Sequence, residues 1–178
     1  TDYAIARHYP EGTIISSGLT KWAGAGGWRL GTFLFPAQLR WLLDAMAVVA
    51  SETFTTTSAP IQHAAIAAYR GPQEPIAEMV AEYKRRMTIL VDGINAIDGL
   101  HCLFPDGTYY AWINVSALGL DSKSFTTHCL FTERVYVSPG SGFGPGGEGY
   151  ARASCSKPEA EVREGLRRLA RAVERLGD

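Results

Sequence analysis

The chain has 178 residues, 46% of them hydrophobic and 20% charged, and its 17 basic and 18 acidic side chains leave a formal net charge of −1. Such a balance gives no electrostatic footing for nucleic acid or an anionic membrane surface as a general partner, and no run of eighteen apolar residues is present to span a bilayer. The three cysteines, Cys102, Cys129 and Cys155, are odd in number, widely spaced and without a Cys-x-x-Cys pair, which argues against a disulfide framework or a zinc site and fits a reducing, cytoplasmic setting.

Residues 1–12 read as a connecting segment, with His8-Tyr9-Pro10-Glu11-Gly12 a turn signal. Residues 13–16 read as a short buried strand that stops where hydroxyls and glycines begin, and 30–35 as a second buried strand closed by Pro36. Leu39, Leu42, Leu43, Met46, Val49 and Ala50 recur at helical spacing through about Ser51. The hydroxyl-rich run 53–58 is poor helix interior but a good cap ahead of Pro60, and a small-residue helix over 61–69 ends at Gly71-Pro72.

The longest helical pattern covers 74–97, with an apolar stripe from Ile76 to Ile94 and a solvated face carrying Glu78, Glu82, Lys84, Arg85 and Arg86. Two strands, 100–104 and 108–115, flank Pro105-Asp106-Gly107. A helix over 121–133, strands over 134–137 and 149–155, and an Arg- and Glu-rich amphipathic helix over 158–176 complete the chain. The order suggests an α/β arrangement for residues 1–70, a long connecting helix over 71–97 and an α+β unit over 98–178.

Two stretches carry candidate chemistry. Lys21 follows Ser16-Ser17-Gly18-Leu19-Thr20 at a strand end, where loops carry function. A lysine amine there can form a Schiff base with a carbonyl cofactor once desolvation and nearby charge leave part of it neutral. Arg29, among Gly24, Gly26, Gly27 and Gly31, offers a planar fork of donors suited to phosphate. Taken alone, Lys21 reads far more readily as a solvated turn lysine and Arg29 as a surface cation.

The second stretch is the glycine-dense loop 138–149, which leads into a strand bearing Arg152 between Ala151 and Ala153. An arginine inside an alternating strand is costly to bury unless an anion meets it, and a carboxylate does so bidentately. The competing reading is an edge-strand arginine facing water. His8, His63, His101 and His128 are scattered without catalytic or metal spacing, and Tyr109 and Tyr110 read as core aromatics with some reach toward a pocket. No Gly-x-Ser-x-Gly occurs, and the glycine loop is followed by a strand, so neither a nucleophile elbow nor a dinucleotide fingerprint is present.

Ser17-Gly18-Leu19-Thr20-Lys21 and Gly27-Trp28-Arg29-Leu30-Gly31 resemble the lysine region of the fold type I pyridoxal-phosphate-dependent aminotransferases of class I and II. That pattern is Ser/Asn-Gly-x-Ser-Lys, a variable stretch, then Gly-Trp-Arg-x-Gly. Thr20 stands where the family usually has serine or another small residue, and Gly18 where some members carry a phosphate-binding serine. The proline-glycine, Phe143-Gly144 and Gly149-Tyr150-x-Arg152 steps resemble the family's C-terminal motif. The resemblance covers nearly the whole chain.

It implies that Lys21 carries pyridoxal 5'-phosphate, that Arg29 holds the phosphate with help from Ser17 and Thr20, that Arg152 binds the substrate α-carboxylate, and that Phe143 lines the substrate pocket. Substrates would be an amino acid and a 2-oxo acid, and the chain would pair as a homodimer, with 53–58 a place for that contact. In fold terms, residues 1–70 would be the end of the large cofactor-binding domain and 98–178 the small C-terminal domain.

The family's acidic partner for the pyridine nitrogen, its ring-stacking aromatic and its phosphate loop lie upstream of the lysine, whereas twenty residues precede Lys21; Asp2 and Tyr3 match the Asp-Glu-x-Tyr element poorly. The expectation is a C-terminal portion that binds the cofactor weakly, transaminates little or not at all, and self-associates through apolar faces around 13–35. A lyase or synthase of the same fold, and the aminotransferase-like half of a non-catalytic regulator, are the alternative readings.

Overall fold

The computed structural model describes residues 4–177, so Asp2 and Tyr3 lie outside the described residues. Two compact units divide between Ala77 and Glu78. No helix among the described residues is long and apolar enough to cross a membrane.

In the first unit, β1 (Ile15–Gly18) and β2 (Gly31–Leu34) form an antiparallel hairpin in which Ile15 faces Leu34 and Gly18 faces Gly31. Between them lies a one-turn helix, α1 (Leu19–Trp22), in the stretch read as loop. A short 3-10 turn leads from Pro36 into α2 (Arg40–Thr53), and α3 (Ala59–Arg70) begins with Pro60 in its first turn, where a missing amide proton costs nothing. The core is small: Leu19, Leu30 and Ala65, with Trp22 and Ile61 packed against them.

The expectation of two buried strands is corrected here. Ile15 is 43%, Phe33 55% and Leu34 61% exposed. A two-stranded hairpin has two faces and two edges, and two strands cannot cover their own apolar side chains. Trp41, Val49 and Phe54 on and after α2 are also largely exposed. Phe54, Thr55 and Thr57 line one wall of an open groove of about 690 Å³ that Ile66 and Tyr69 close from α3.

The second unit takes up most of α4 (Glu74–Asn95) and then alternates strands and helices. Its sheet runs β3 (His101–Cys102), β4 (Tyr110–Asn114), β6 (Tyr150–Ser154), β5 (Ser138–Pro139) in space, antiparallel throughout. The helices α5 (Ser122–Glu133) and α6 (Glu159–Glu174) share with α4 the covering of one face. That core contains Met87, Leu90, Val91 and Ile94 from α4, Ala111 and Ile113 from β4, Phe125 and Cys129 from α5, and Val162 and Leu169 from α6.

Local chemistry sets the ends of α5. Asp121 caps its start by accepting from the Ser124 amide at 2.8 Å. At the other end Arg134 turns left-handed at φ 55; its amide returns to the Leu130 carbonyl and the Val135 amide to that of Cys129. This cap is why the strand expected over 134–137 begins later: Val137 is buried and Tyr136 exposed in strand-like alternation, but ladder pairing starts at Ser138. Across α5 and α6, Glu133 accepts from Arg171 at 2.8 Å and pairs with Arg175 at 2.8 Å. The charged face of α4 is solvated as expected, with Glu82 bridged to Arg85 and Arg86, and Arg85 paired also with Glu159.

Candidate functional site

The candidate residues fall into two groups, one in each unit. In the first unit, the hairpin register returns the chain at Gly31 to the place it left at Gly18, so everything between belongs to one end of the hairpin. Thr20, Lys21 and Arg29 are thus gathered on one connection, with Ser17 in the strand just before it. A Cβ on Gly18 would stand 2.9 Å from the Leu30 carbonyl, so the two strand ends meet at backbone distance.

Lys21 is the third residue of α1, held by the burial of Leu19 beneath it, and its side chain is exposed. Arg29 leaves a 3-10 turn (Gly26–Trp28) in the left-handed region at φ 54, and a guanidinium nitrogen donates to the Gly26 carbonyl at 3.1 Å. The remaining donors of that guanidinium project from a turn in which a side chain at Gly27 would meet nothing within 4 Å. Ser17 is exposed and Thr20 partly buried, with the Thr20 methyl toward Gly26.

In the second unit, alternation along β4 and β6 puts Ala111, Ile113 and Ala151 into the core. The opposite face carries Tyr110, Trp112 and Asn114 from β4 across from Ser154, Arg152 and Tyr150 from β6. Arg152 is half-buried there. Its guanidinium carbon lies 4.1 Å from the centroid of the Tyr110 ring and 4.4 Å from that of Phe143, the geometry of cation–π contact. Trp112 stacks on Tyr150 with centroids 5.6 Å apart and 17° between planes, and meets Phe143 edge-on at 5.6 Å. Among the described residues Arg152 has no carboxylate partner.

Phe143 stands on the glycine loop, which turns through two short 3-10 segments, Gly140–Phe143 and Pro145–Gly147. The loop is closed at its base. A Cβ on Gly140 would lie 2.1 Å from the Gly147 carbonyl, and one on Gly147 would lie 2.0 Å from that of Gly140. The Glu148 carboxylate accepts from the Ser122 amide at 2.6 Å and from Gly149 at 2.9 Å, which holds its pKa below the usual carboxylate range.

Four contributors are not evident from the sequence. Tyr110 was read mainly as core, whereas it is partly exposed against Arg152; strand alternation opposite Arg152 would have put it and Trp112 on the functional face. Glu148 and Ser122 lie 26 positions apart and leave no local spacing signal. Of the histidines, His128 is packed, its Nε2 2.8 Å from the Ala172 carbonyl. The described residues contain no group of three or more His, Cys, Asp or Glu side chains that could hold a metal ion, and Cys102, Cys129 and Cys155 are free thiols in the core.

The arrangement presents two cations, Arg29 on the connection that also carries the Lys21 amine and Arg152 on the open face of the four-stranded sheet. The family model for aminotransferase class I and II matches residues 2–169. The aspartate aminotransferase of Rhizobium meliloti (strain 1021) is 36% identical over 174 residues, 92% of this chain and 41% of that protein. The LL-diaminopimelate aminotransferase of Moorella thermoacetica is 35% identical over 147 residues, 83% of this chain and 36% of that protein. The crystal structure of an aromatic aminotransferase from Pyrococcus horikoshii OT3 superposes with a TM-score of 0.86 at 32% identity, covering 93% of this chain and 44% of that one. The chain thus spans about two fifths of the length of the relatives it matches. With the family model covering nearly all of it, the chain belongs to the class I and II aminotransferases.

Proposed function

We propose that this chain is the C-terminal part of a pyridoxal-phosphate-dependent aminotransferase, with the cofactor linked to Lys21 and the substrate held by Arg152. The observation that carries the reading is the half-buried Arg152 guanidinium, enclosed by Tyr110 and Phe143 and without a carboxylate partner among the described residues. A cation in that setting gains most from an anion delivered by a ligand, and an amino acid's α-carboxylate matches its fork.

The first unit suits the cofactor's chemistry. It offers an exposed amine at Lys21 for a carbonyl, a guanidinium at Arg29 for a phosphate, and hydroxyls at Thr20 on the same connection and at Ser17 in the strand before it. When bound, pyridoxal phosphate supplies the electron sink that makes an amino acid's α-carbon acidic. Lys21 Nζ then serves as the base that receives the α-proton and the acid that returns it. Arg152 fixes the carboxylate so that the bond to be broken is presented in one orientation. Residues 1–70 act as the end of the cofactor-binding domain and 98–178 as the small domain. The active species is a homodimer converting an amino acid and a 2-oxo acid.

The relatives named above act on aspartate, LL-diaminopimelate and aromatic amino acids by their names, so the amino acid is a separate question. The direct test is a spectroscopic titration of the purified chain with pyridoxal phosphate. A visible absorbance band that disappears in Lys21→Ala, and that needs more cofactor to reach half-height in Arg29→Gln, is the expected result. A band that survives Lys21→Ala refutes the lysine assignment. Alone, the chain is expected to bind the cofactor weakly and to form little 2-oxo acid; robust turnover by the purified chain would sink that part of the reading.

A further inference from the structure

We propose that Glu148 is a positioning residue for the carboxylate site: it ties the glycine loop to the first turn of α5 and so holds Phe143 against Arg152. The proposal rests on the reading of Arg152 as the hydrogen-bond donor to the substrate carboxylate.

The tie is built from several bonds that share one buried hydroxyl. Ser122 is fully buried; its amide donates to Glu148 Oε1 at 2.6 Å, and its Oγ lies 3.1 Å from Oε2 of the same carboxylate. That Oγ is also 2.8 Å from Ser141 Oγ and accepts from the Ser141 amide at 3.3 Å. A carboxylate only accepts, so the Ser122 proton goes to Glu148 and the Ser141 hydroxyl is left to donate to Ser122. Both feet of the loop, at Ser141 and at Glu148, are therefore fixed to one residue of α5.

The start of α5 does not need a second carboxylate for capping. Asp121 already serves it, taking the Ser124 amide and hydroxyl, each at 2.8 Å. Two like charges at one helix start oppose each other. What Glu148 adds is the link to the loop. Phe143, 52% exposed, has little burial to hold it, and its ring contacts are with Arg152 and Trp112. The base of the loop, closed between Gly140 and Gly147, passes the constraint at Ser122 to the tip, and the ring at the tip limits where the guanidinium can point.

The test uses the 178-residue chain labelled with ¹⁵N and a probe without an amine, 3-phenylpropionate. Binding is read from the Arg152 Nε–H and Trp112 indole resonances, and loop order from hydrogen exchange at Gly142, Phe143 and Gly144. Glu148→Ala is expected to weaken the probe about tenfold and to speed loop exchange by a similar factor, the scale of one charge-assisted hydrogen bond, while Ile113 and Ala151 keep their protection. Glu148→Gln, which retains an acceptor oxygen, falls between; if Glu148→Ala loses protection in the sheet, Glu148→Gln decides alone. Wild-type affinity and loop exchange in these variants overturn the proposal and leave the reading of Arg152 standing. No response of Arg152 to the probe in the wild-type chain, or an unchanged response of Trp112 in Arg152→Gln, overturns the reading and the proposal with it.

Discussion

The closed base of the glycine loop makes a quantitative prediction through a pair of identical substitutions two residues apart. In Gly140→Ala the new methyl would lie 2.1 Å from the Gly147 carbonyl oxygen, 2.6 Å from that of Tyr150 and 3.0 Å from the Tyr150 carbonyl carbon. All three are backbone atoms, in a segment bound to Ser122 and to the β4 ladder, so the clash cannot be relieved by a rotamer change. Separating them to ordinary contact takes a shift of about 1 Å, and overpacking of that kind costs about 1–3 kcal/mol. The upper end applies, because two backbone segments must move together. In Gly142→Ala the methyl meets nothing within 4 Å, and the smaller conformational freedom of the unfolded chain makes the change neutral or stabilising by about 0.5 kcal/mol. Urea unfolding followed by circular dichroism should put the Gly140→Ala midpoint about 1–2 M below that of Gly142→Ala. Coincident midpoints would show that the loop base is looser than the carbonyl distances say, and would remove the route by which Ser122 and Glu148 govern Phe143.

Burial pushes the Cys129 thiol up to about 12, and raises Cys102 and Cys155 in the same direction. A disulfide reagent at pH 8 should therefore modify these three thiols only as the chain unfolds; rapid reaction of Cys129 in the folded chain would contradict its place in the core. Glu133 is held below the usual carboxylate range, first by the hydrogen bond from Arg171 and further by Arg175. A carboxylate with a depressed folded pKa contributes fully above its unfolded value near ~4.3 and loses that contribution as pH falls through the folded value. Wild type should thus weaken more than Glu133→Gln between neutral pH and the acid range in pH-dependent melts, and parallel curves would refute the coupling of α5 to α6 through this residue.

Much of the second unit could be read from local chemistry. Asp121 and the left-handed Arg134 delimit α5 by rules that operate within a few residues, and Met87, Leu90, Val91 and Ile94 share a helical stripe that is buried. That a connection separates the strands around Ser16 and Leu30 was likewise legible, whereas its helical turn α1 was not. The first unit was less so: Phe33 and Leu34 are apolar enough for a core, but a sequence states what a side chain prefers and not whether this chain supplies the cover. Strand 134–137 failed for a related reason, since Val135 and Val137 alternate as a strand does while the pairing partner of β6 is Ser138-Pro139. The Glu148 tie was invisible because nothing in linear spacing brings residue 148 to residue 122; the sheet and α5 have to be in place first.

Arg29 adopts a backbone conformation, φ 54, that a β-carbon disfavours by about 1–2 kcal/mol, and in return receives one exposed hydrogen bond to Gly26. Glycine would adopt the same turn without that cost. A library of this chain randomised at position 29 and sorted for heat resistance alone should therefore enrich glycine and asparagine and discard arginine. Sorted for retention of a phosphate-bearing cofactor, it should do the reverse. On the proposed role of Arg29, thermal robustness and anion capture select opposite residues at this one backbone angle, so blind stabilisation of the chain would remove the proposed phosphate-binding guanidinium early.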